Sequence, residues 1–320
     1  MVSPEDLGLI PVTGLLGHGI SYSLSPMLHG FADRAAGRMS DYQLFDVPPT
    51  GLRVFLEQVV QFGEVVGFNV TNPHKETLYE RLDALHDDAK ETGAVNTVSV
   101  RGEHLVGYNT DRAAFRSALQ AALTEREHPA KGWTVVVLGA GGAARAVVRA
   151  ILDLGIAKRI LISSRTESRR FFVLLHFQEI CAALGVELLQ HEWPGWETMP
   201  IESPALLVNA TPLGRMDERG RIPLPAVLPM DSIFAKFSLV FDLVYAPPVT
   251  GLMKRARDLG AQAVGGGGVL IEQAVLSRAI WFGDDKKEEE RAAMVAGYSL
   301  WATKVARMTN AGGNVWDFDG

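Results

Sequence analysis

Val135-Val136-Val137-Leu138-Gly139-Ala140-Gly141-Gly142-Ala143-Ala144-Arg145 sets the fold of this 320-residue chain. Four apolar residues in a row, three of them β-branched, read as a buried strand. Glycines follow at once. Ala143 to Leu154 then carries apolar residues at helical spacing and stops at Gly155. Strand, glycine turn and helix form the first half of a mononucleotide-binding βαβ unit. The pattern is G-x-G-x-x-A, with Ala144 in the third small-residue slot. Gly139 permits the tight turn, and Gly141 lets the backbone approach a pyrophosphate. Ala140, Gly142 and Ala143 complete the turn, and the N–H groups of the helix start would face the phosphates. The alternative for this stretch is a purely structural turn.

Downstream, Arg159 to Ser163 reads as a second parallel strand. An NAD-binding unit usually has an acidic side chain about 20 residues past the glycines, on the ribose hydroxyls. Here the strand ends in Ser163-Ser164-Arg165-Thr166, with Arg169 and Arg170 shortly after. A carboxylate would repel a 2′-phosphate, whereas arginine accepts it through charge-assisted bonds. The basic end favours NADP over NAD; the plainer alternative is a solvated helix start. Val186 to His191, Leu206 to Asn209, Leu239 to Val244 and Gln262 to Gly265 are further strand candidates. Thr211-Pro212-Leu213-Gly214 and Tyr245-Ala246-Pro247-Pro248 follow two of them, where open α/β sheets hold ligands. Gly265 to Gly268 reads either as a hinge or as backbone passing close to a ligand. Val269 to Phe282 is helical. The charge run Asp284 to Arg291 reads as the solvated start of another helix, continuing to about Met308. Thr309 to Gly320 reads as a poorly ordered tail.

Upstream, residues 8–16, 42–47 and 65–70 read as strands. Residues 27–36 and 51–62 have helical spacing. Ser25 is expected to cap the first helix with Pro26 at its first position. A third helix is expected from Pro73 through Leu82. Residues 94–100 and 105–108 read as a hairpin around Arg101-Gly102-Glu103. Thr110 or Asp111 is expected to cap the helix that follows. Alternating strands and helices favour an α/β layer architecture.

The length suggests about two domains. A net charge of -6 argues against nucleic acid or an anionic membrane as the main partner. The single cysteine, Cys181, excludes an intrachain disulfide framework and suits a reducing compartment. The eight histidines have no metal-ligand spacing, so no metal is expected. No apolar run approaches the roughly 20 residues that span a bilayer. The first residues lack a basic segment followed by an apolar core, so cytosol is the expected location.

Eight motifs, taken in order, carry a family resemblance. They are Ser23-Leu24-Ser25-Pro26, Asn69 to Lys75 (NVTNPHK), Gly93-Ala94-Val95-Asn96-Thr97, Asn109-Thr110-Asp111, Gly139 to Ala143, Ser164-Arg165-Thr166, Asn209 to Gly214 (NATPLG) and Glu272-Gln273-Ala274. With them the chain resembles the shikimate dehydrogenase family, including the quinate/shikimate dehydrogenases, from about Gly14 to Gly283. The resemblance implies two α/β domains with a cleft between them. Residues 1–112, completed by C-terminal helices over 268–320, would bind substrate. Residues 113–267 would form the Rossmann-like NADP domain. The implied reaction is reversible hydride transfer between NADP(H) and shikimate or 3-dehydroshikimate.

By the same resemblance Lys75 and Asp111 would be the catalytic pair. The chemistry agrees: reducing a ketone builds negative charge on oxygen, and a cation that also donates a proton lowers that barrier. Taken alone, Lys75 reads as a surface lysine and Asp111 as a helix cap. Ser23 and Ser25 would bind the substrate carboxylate, and Thr71, Asn96 and Gln273 its hydroxyls. Tyr245 would lie over the substrate or else serve in packing. Leu243 and Gly266 would approach the nicotinamide through backbone atoms. Gly139, Ala140, Gly141, Gly142, Ala143, Ser164, Arg165, Thr166 and Arg169 would bind the rest of the cofactor. Trp133, Trp193, Trp196, Trp281 and Trp301 read as core or semi-buried aromatics, and neither His29 nor His74 as catalytic.

The chain departs from the family's usual residues at five positions. Gly19 stands where Pro is frequent, Tyr22 where His is, Gly30 and Ser164 where Asn is, and Val269 where Met is. The first three adjoin the serine loop and leave room for quinate, with NAD or NADP. A third possibility is a non-catalytic sensor of the same ligands. The expected partner is a small molecule, with no nucleic acid and no membrane, and the expected assembly is a monomer or homodimer.

Overall fold

The structure is a computed structural model that describes residues 9–62, 64–193, 195–225 and 229–311. The tail expected to be poorly ordered falls outside these residues from 312 onward. The chain divides into two compact units: one runs to Thr110 and resumes at Ile271, the other is Asp111–Leu270.

The first unit is built from β1 (Val12–Gly17), α1 (Ser25–Ala36), β2 (Asp41–Asp46), α2 (Leu52–Phe62), β3 (Gly67–Val70), α3 (Lys75–Tyr79), β4 (Ala84–Leu85), α4 (Asp87–Thr92), β5 (Thr97–Arg101) and β6 (His104–Tyr108). Its six-stranded sheet runs β2-β1-β3-β5-β6-β4. β1 is parallel to β2 and β3, whereas β5 is antiparallel to β3 and β6. The buried run Leu16, Phe68, Val70 and Val98 makes the sheet's core with Leu52, Val59 and Leu78 from α2 and α3.

Three local expectations fail here. Ser25 is not the cap of α1: Leu24 holds that position, and the Ser25 N–H instead donates to Ser23 Oγ at 3.2 Å. α3 ends at Tyr79 rather than Leu82, because Asp83 pairs with Leu105 through both its N–H (3.1 Å) and its Oδ2 (2.8 Å) and turns the chain into β4. Thr110 and Asp111 are the first residues of the next helix, not its cap.

The second unit contains α5 (Thr110–Glu125), β7 (Trp133–Leu138), α6 (Gly142–Leu154), β8 (Ala157–Ser164), α7 (Glu167–Leu184), β9 (Glu187–Glu192), β10 (Ala205–Asn209), α8 (Asp231–Phe234), β11 (Phe237–Asp242), α9 (Gly251–Asp258) and β12 (Gln262–Gly265). Its sheet runs β12-β11-β10-β7-β8-β9, and every pair is parallel. Successive side chains of the central strands go to opposite faces. Val135, Val137, Leu206 and Val208 join α5 and α6 on one side; Val136, Leu138 and Leu207 join α9 on the other. A strand buried on both faces reads as an unbroken apolar run, which is why β7 is evident in the sequence. Burying each such side chain contributes roughly 1.5–3 kcal/mol. This is a doubly wound sheet whose strand order reverses between β7 and β10.

α10 (Gly267–Phe282) and α11 (Lys287–Ala311) are the last elements among the described residues. The charge run at the start of α11 is not wholly solvated. Glu290 is buried, and with Asp33 of α1 it flanks the fully buried Arg278 of α10, at 2.9 and 2.7 Å. Removing one partner of such a buried pair typically costs about 3–5 kcal/mol. The ion triad therefore fastens both C-terminal helices to the first unit. Trp133, Trp196 and Trp301 are core residues, while Trp193 and Trp281 are half-buried. Among the described residues no helix is long and apolar enough to cross a membrane.

Candidate functional site

In the first unit, topology brings the polar candidates to one end of one sheet. β1 and β3 are parallel neighbours, so the loops leaving their C-terminal ends lie side by side. The Thr71 N–H donates to Leu16 O at 2.8 Å, and the His18 N–H to Asn72 O at 3.2 Å. The first loop carries Ser23 and leads to Ser25, the first residue of α1; their hydroxyls are 3.2 Å apart. The second carries Thr71 and leads to Lys75, the first residue of α3, whose carbonyl accepts from Val95 N at 2.9 Å. Because β5 runs antiparallel to β3, Asn96 arrives at the same end, with its carbonyl accepting from Val70 N at 2.7 Å.

A buried hydrogen-bond network underlies this surface. Asn96 Oδ1 accepts from Thr110 N at 2.7 Å, and Asn96 Nδ2 donates to Thr110 Oγ1 at 2.8 Å. The Ser277 hydroxyl donates to Gln273 O, and Asn69 Nδ2 donates to Ser277 Oγ, both at 2.8 Å. Gln273 thus sits one turn of α10 from the network that sets Asn96. A satisfied network of this kind costs little and rigidifies the groups it holds. Ser25 and Asn96 are nearly buried; Ser23, Thr71, Lys75, Asp111 and Gln273 are half-buried. Asp111 follows Thr110 directly as the second residue of α5. His29 and His74 are core residues. Burial holds the His29 imidazole well below its usual range, and the Arg278 cation adds to this.

In the second unit the glycine turn lies at the end of β7, at the strand-order reversal. Gly139 has φ +109°, and a Cβ there would sit 2.9 Å from Ala210 O, so only glycine fits. Gly141 precedes α6 without a side-chain cap, leaving the helix's first N–H groups directed at the turn. Past β8, Arg165, Thr166 and Arg169 are exposed. Arg170 differs: it is buried, and its Nη1 donates to the carbonyl of Ser164, bracing the strand end. The Ser164 hydroxyl accepts from Thr166 N at 3.4 Å. The four-glycine run joins two elements: Gly265 ends β12, and Gly267 and Gly268 open α10. A Cβ on Gly266 would lie 2.1 Å from the Leu243 carbonyl, so close backbone packing is what demands glycine there.

Asp242 holds the next loop, and sequence reasoning passed over its role. Its Oδ1 accepts from Asn209 Nδ2 (2.9 Å) and Val244 N (3.1 Å), and its Oδ2 from Thr250 Oγ1 (2.6 Å). Asn209 in turn accepts from the Thr211 hydroxyl at 2.6 Å. One carboxylate therefore fixes the loops of Thr211 and of Leu243–Tyr245, where Tyr245 is half-buried. A lone acid inside the apolar run Phe241-Asp242-Leu243-Val244 was the available signal. Burial pushes the Asp242 carboxyl up to about 6, against the bonds that favour its charge. A carboxyl raised on folding takes up a proton between its folded and unfolded pKa. Its contribution to stability therefore grows as pH falls from about 6 toward 4 and is absent above. Asp242→Asn is expected to remove this arm, worth at most about 3 kcal/mol, from the pH dependence of thermal unfolding. Identical pH profiles for variant and parent would refute the assignment.

Fold and site together define a two-unit dinucleotide-binding α/β protein. One unit carries the glycine turn with a basic strand end, the other a polar end of a mixed sheet. The sequence profile of the shikimate dehydrogenase substrate binding domain matches residues 15–98. The shikimate dehydrogenase (NADP(+)) of Symbiobacterium thermophilum is 36% identical over 274 residues, 85% of this chain and 89% of that protein. The shikimate 5-dehydrogenase of Thermus thermophilus, solved with NADP(H) and shikimate, superposes with a TM-score of 0.67 at 30% identity, covering 90% of this chain and 100% of the other. The quinate dehydrogenase of Corynebacterium glutamicum, solved with NAD, gives 0.73 at 29% identity over 90% and 99%. This chain belongs to the shikimate dehydrogenase family.

Proposed function

We propose that this chain is an NADP-dependent shikimate dehydrogenase, interconverting shikimate and 3-dehydroshikimate. The observation that carries the reading is the gathering of Ser23, Ser25, Thr71, Lys75 and Asn96 at one sheet end, in a chain 36% identical to a shikimate dehydrogenase (NADP(+)). Residues 1–112 with 268–320 serve as the substrate domain, and residues 113–267 as the cofactor domain. The Gly139 cradle, which any Cβ would fill, and the exposed arginines past β8 fit NADP. Gly139 to Ala143 receive the pyrophosphate. Ser164, Arg165, Thr166 and Arg169 receive the adenosine 2′-phosphate end, and the backbone at Leu243 and Gly266 borders the nicotinamide. The bound cofactor supplies or takes the hydride.

Ser23 and Ser25 donate to the substrate carboxylate. Thr71, Asn96 and Gln273 bind ring hydroxyls, and Tyr245 covers the ring. Neutral donors and acceptors suit a polyhydroxylated ligand and reject analogues that leave them unpaired. The Lys75 ammonium donates its proton to the carbonyl oxygen as negative charge develops there, and takes it back in the reverse direction. Asp111 orients that ammonium. The protein works in the cytosol as a monomer or homodimer.

The test is initial rates with shikimate and quinate, each against NADP and NAD. Shikimate with NADP should give the highest kcat/KM; no turnover of either acid would overturn the reading. A second reading, quinate dehydrogenase with NAD, draws on the likeness to the C. glutamicum enzyme and on Gly19 and Tyr22 in the serine loop. Higher kcat/KM for quinate with NAD would establish it instead. Charge-assisted bonds contribute about 1.5–3 kcal/mol each. The double replacement Arg165→Ala and Arg169→Ala should therefore raise KM for NADP at least about tenfold. KM for NAD should hardly change, and an equal rise for both cofactors would remove the 2′-phosphate assignment.

A further inference from the structure

The loop between β1 and α1 carries Ser23 and leads directly into Ser25, the first residue of α1, the two serines assigned above to the substrate carboxylate, so whatever holds this loop sets that contact. Part of the hold is internal. Ile20 is buried, and the Ser23 N–H closes a turn on Ile20 O at 3.0 Å. The His18 N–H bond to Asn72 O adds to it at the start of the loop, and a further hold comes from Asp46, the last residue of β2, a strand at the edge of the sheet. Asp46 Oδ1 accepts from Gly19 N at 3.0 Å and meets His18 Nδ1 at 2.9 Å, while Oδ2 lies 3.2 Å from Gly19 N. Both carboxylate oxygens thus converge on one backbone N–H, with an imidazole at the side.

Gly19 makes this clamp possible. Its φ is +66°, and a Cβ there would meet nothing within 4 Å, so backbone conformation rather than space calls for glycine. Proline is excluded twice: its φ is locked near −65°, and it has no N–H to give Asp46. The Gly19 N–H, and after it the His18 ring, hold the Asp46 carboxyl below the usual carboxylate range, as expected of an acceptor used in its charged form. Neither Asp46 nor His18 belongs to the residues assigned to substrate or cofactor.

We propose that Asp46 is a positioning residue for substrate binding: through the Gly19 N–H and the His18 ring it fixes the loop that presents Ser23 and Ser25, and so sets affinity for the substrate's carboxylate. The proposal rests on the shikimate dehydrogenase reading above. It acts on binding of the acid and leaves the hydride step and the cofactor unit alone. Asp46 and His18 are about half exposed, so solvent screens the contact, and its loss corresponds to about a three- to fivefold change in affinity.

The test compares the full-length parent with Asp46→Ala, Asp46→Asn and Gly19→Ala. Asp46→Ala should raise KM for shikimate about three- to fivefold, with kcat and KM for NADP within about twofold. Asp46→Asn keeps an acceptor for the Gly19 N–H and should recover most of the loss. Gly19→Ala should raise KM in the same way, and combining it with Asp46→Ala should add little, because both act through one contact. Amide hydrogen exchange should speed up at residues 19–25 in Asp46→Ala. Unchanged KM and exchange in Asp46→Ala would overturn the proposal, as would a parallel fall in kcat and NADP affinity. Failure of the parent protein to turn over or bind shikimate would instead remove the underlying reading.

Discussion

Replacing Lys75 with alanine is expected to lower kcat for shikimate oxidation by about 10²- to 10⁴-fold, the range typical of losing a positioned acid–base group. KM for shikimate should move by no more than about threefold. The reason for the split is where the charge appears. The ground-state alcohol and ketone are neutral at the reacting oxygen, and only the transition state carries negative charge for the ammonium to stabilise. Substrate binding is distributed over Ser23, Ser25, Thr71, Asn96 and Gln273, which the replacement leaves in place. The backbone position of residue 75 does not depend on its side chain. It opens α3, and its carbonyl accepts from Val95 N at 2.9 Å. Alanine is also a strong helix former. Steady-state kinetics with a thermal-melt control separates the outcomes. An equal loss in kcat/KM and kcat with an unchanged melt supports the assignment, and kcat within about threefold of the parent removes Lys75 from the chemistry.

Gly139→Val is expected to weaken NADP binding by at least about a hundredfold and to lower the melting temperature. Two costs combine. At φ +109° a β-branched residue is strained by roughly 1–3 kcal/mol. Its Cβ would also press on the Ala210 carbonyl at 2.9 Å, and that atom belongs to backbone held by Ala210 N–H to Leu138 O at 2.9 Å. Relief requires the β7 turn or the β10 turn to move, and both border the position assigned to the pyrophosphate. Gly132→Ala is the control. Gly132 has φ +89°, yet a Cβ there meets nothing within 4 Å, and it lies before β7, at the strand's other end. It should lose about 1 kcal/mol of stability from strain alone and bind NADP normally. Calorimetric titration with NADP distinguishes the two, and equal binding losses would mean that strain, not the closed turn, dominates.

What can be read along the chain and what cannot divides by the range of the interaction. The strands of the second unit and the glycine turn are legible because each is specified by neighbours in sequence: an unbroken apolar run, then residues able to turn. The basic end after Ser163 is legible for the same reason. Ser25 as a cap, α3 to Leu82 and a solvated charge run at 284–291 are local readings that other partners override. Leu105 stops α3 through Asp83, 22 residues away, and Arg278 draws Asp33 and Glu290 into the core. Leu24, not Ser25, takes the cap position, and the N–H of Ser25 itself donates to the Ser23 hydroxyl.

The order of amino acids is enough to specify the α/β class, the doubly wound dinucleotide unit with its glycine turn, and the family to which the motifs at Ser23, Lys75, Asp111 and Gln273 point. Those features follow from periodicity, turn chemistry and residue types a few positions apart. How the polar side chains are held emerges only once the chain has folded. Parallel pairing of β1 with β3 sets the loops of Ser23 and Lys75 side by side, and antiparallel β5 brings Asn96 to them. Asp242 ties together two loops that leave different strands, and Asp46 reaches back 27 residues to Gly19. A hydrogen bond specifies its partner by position and direction in space, and the order of residues along the chain carries neither until the sheet has formed.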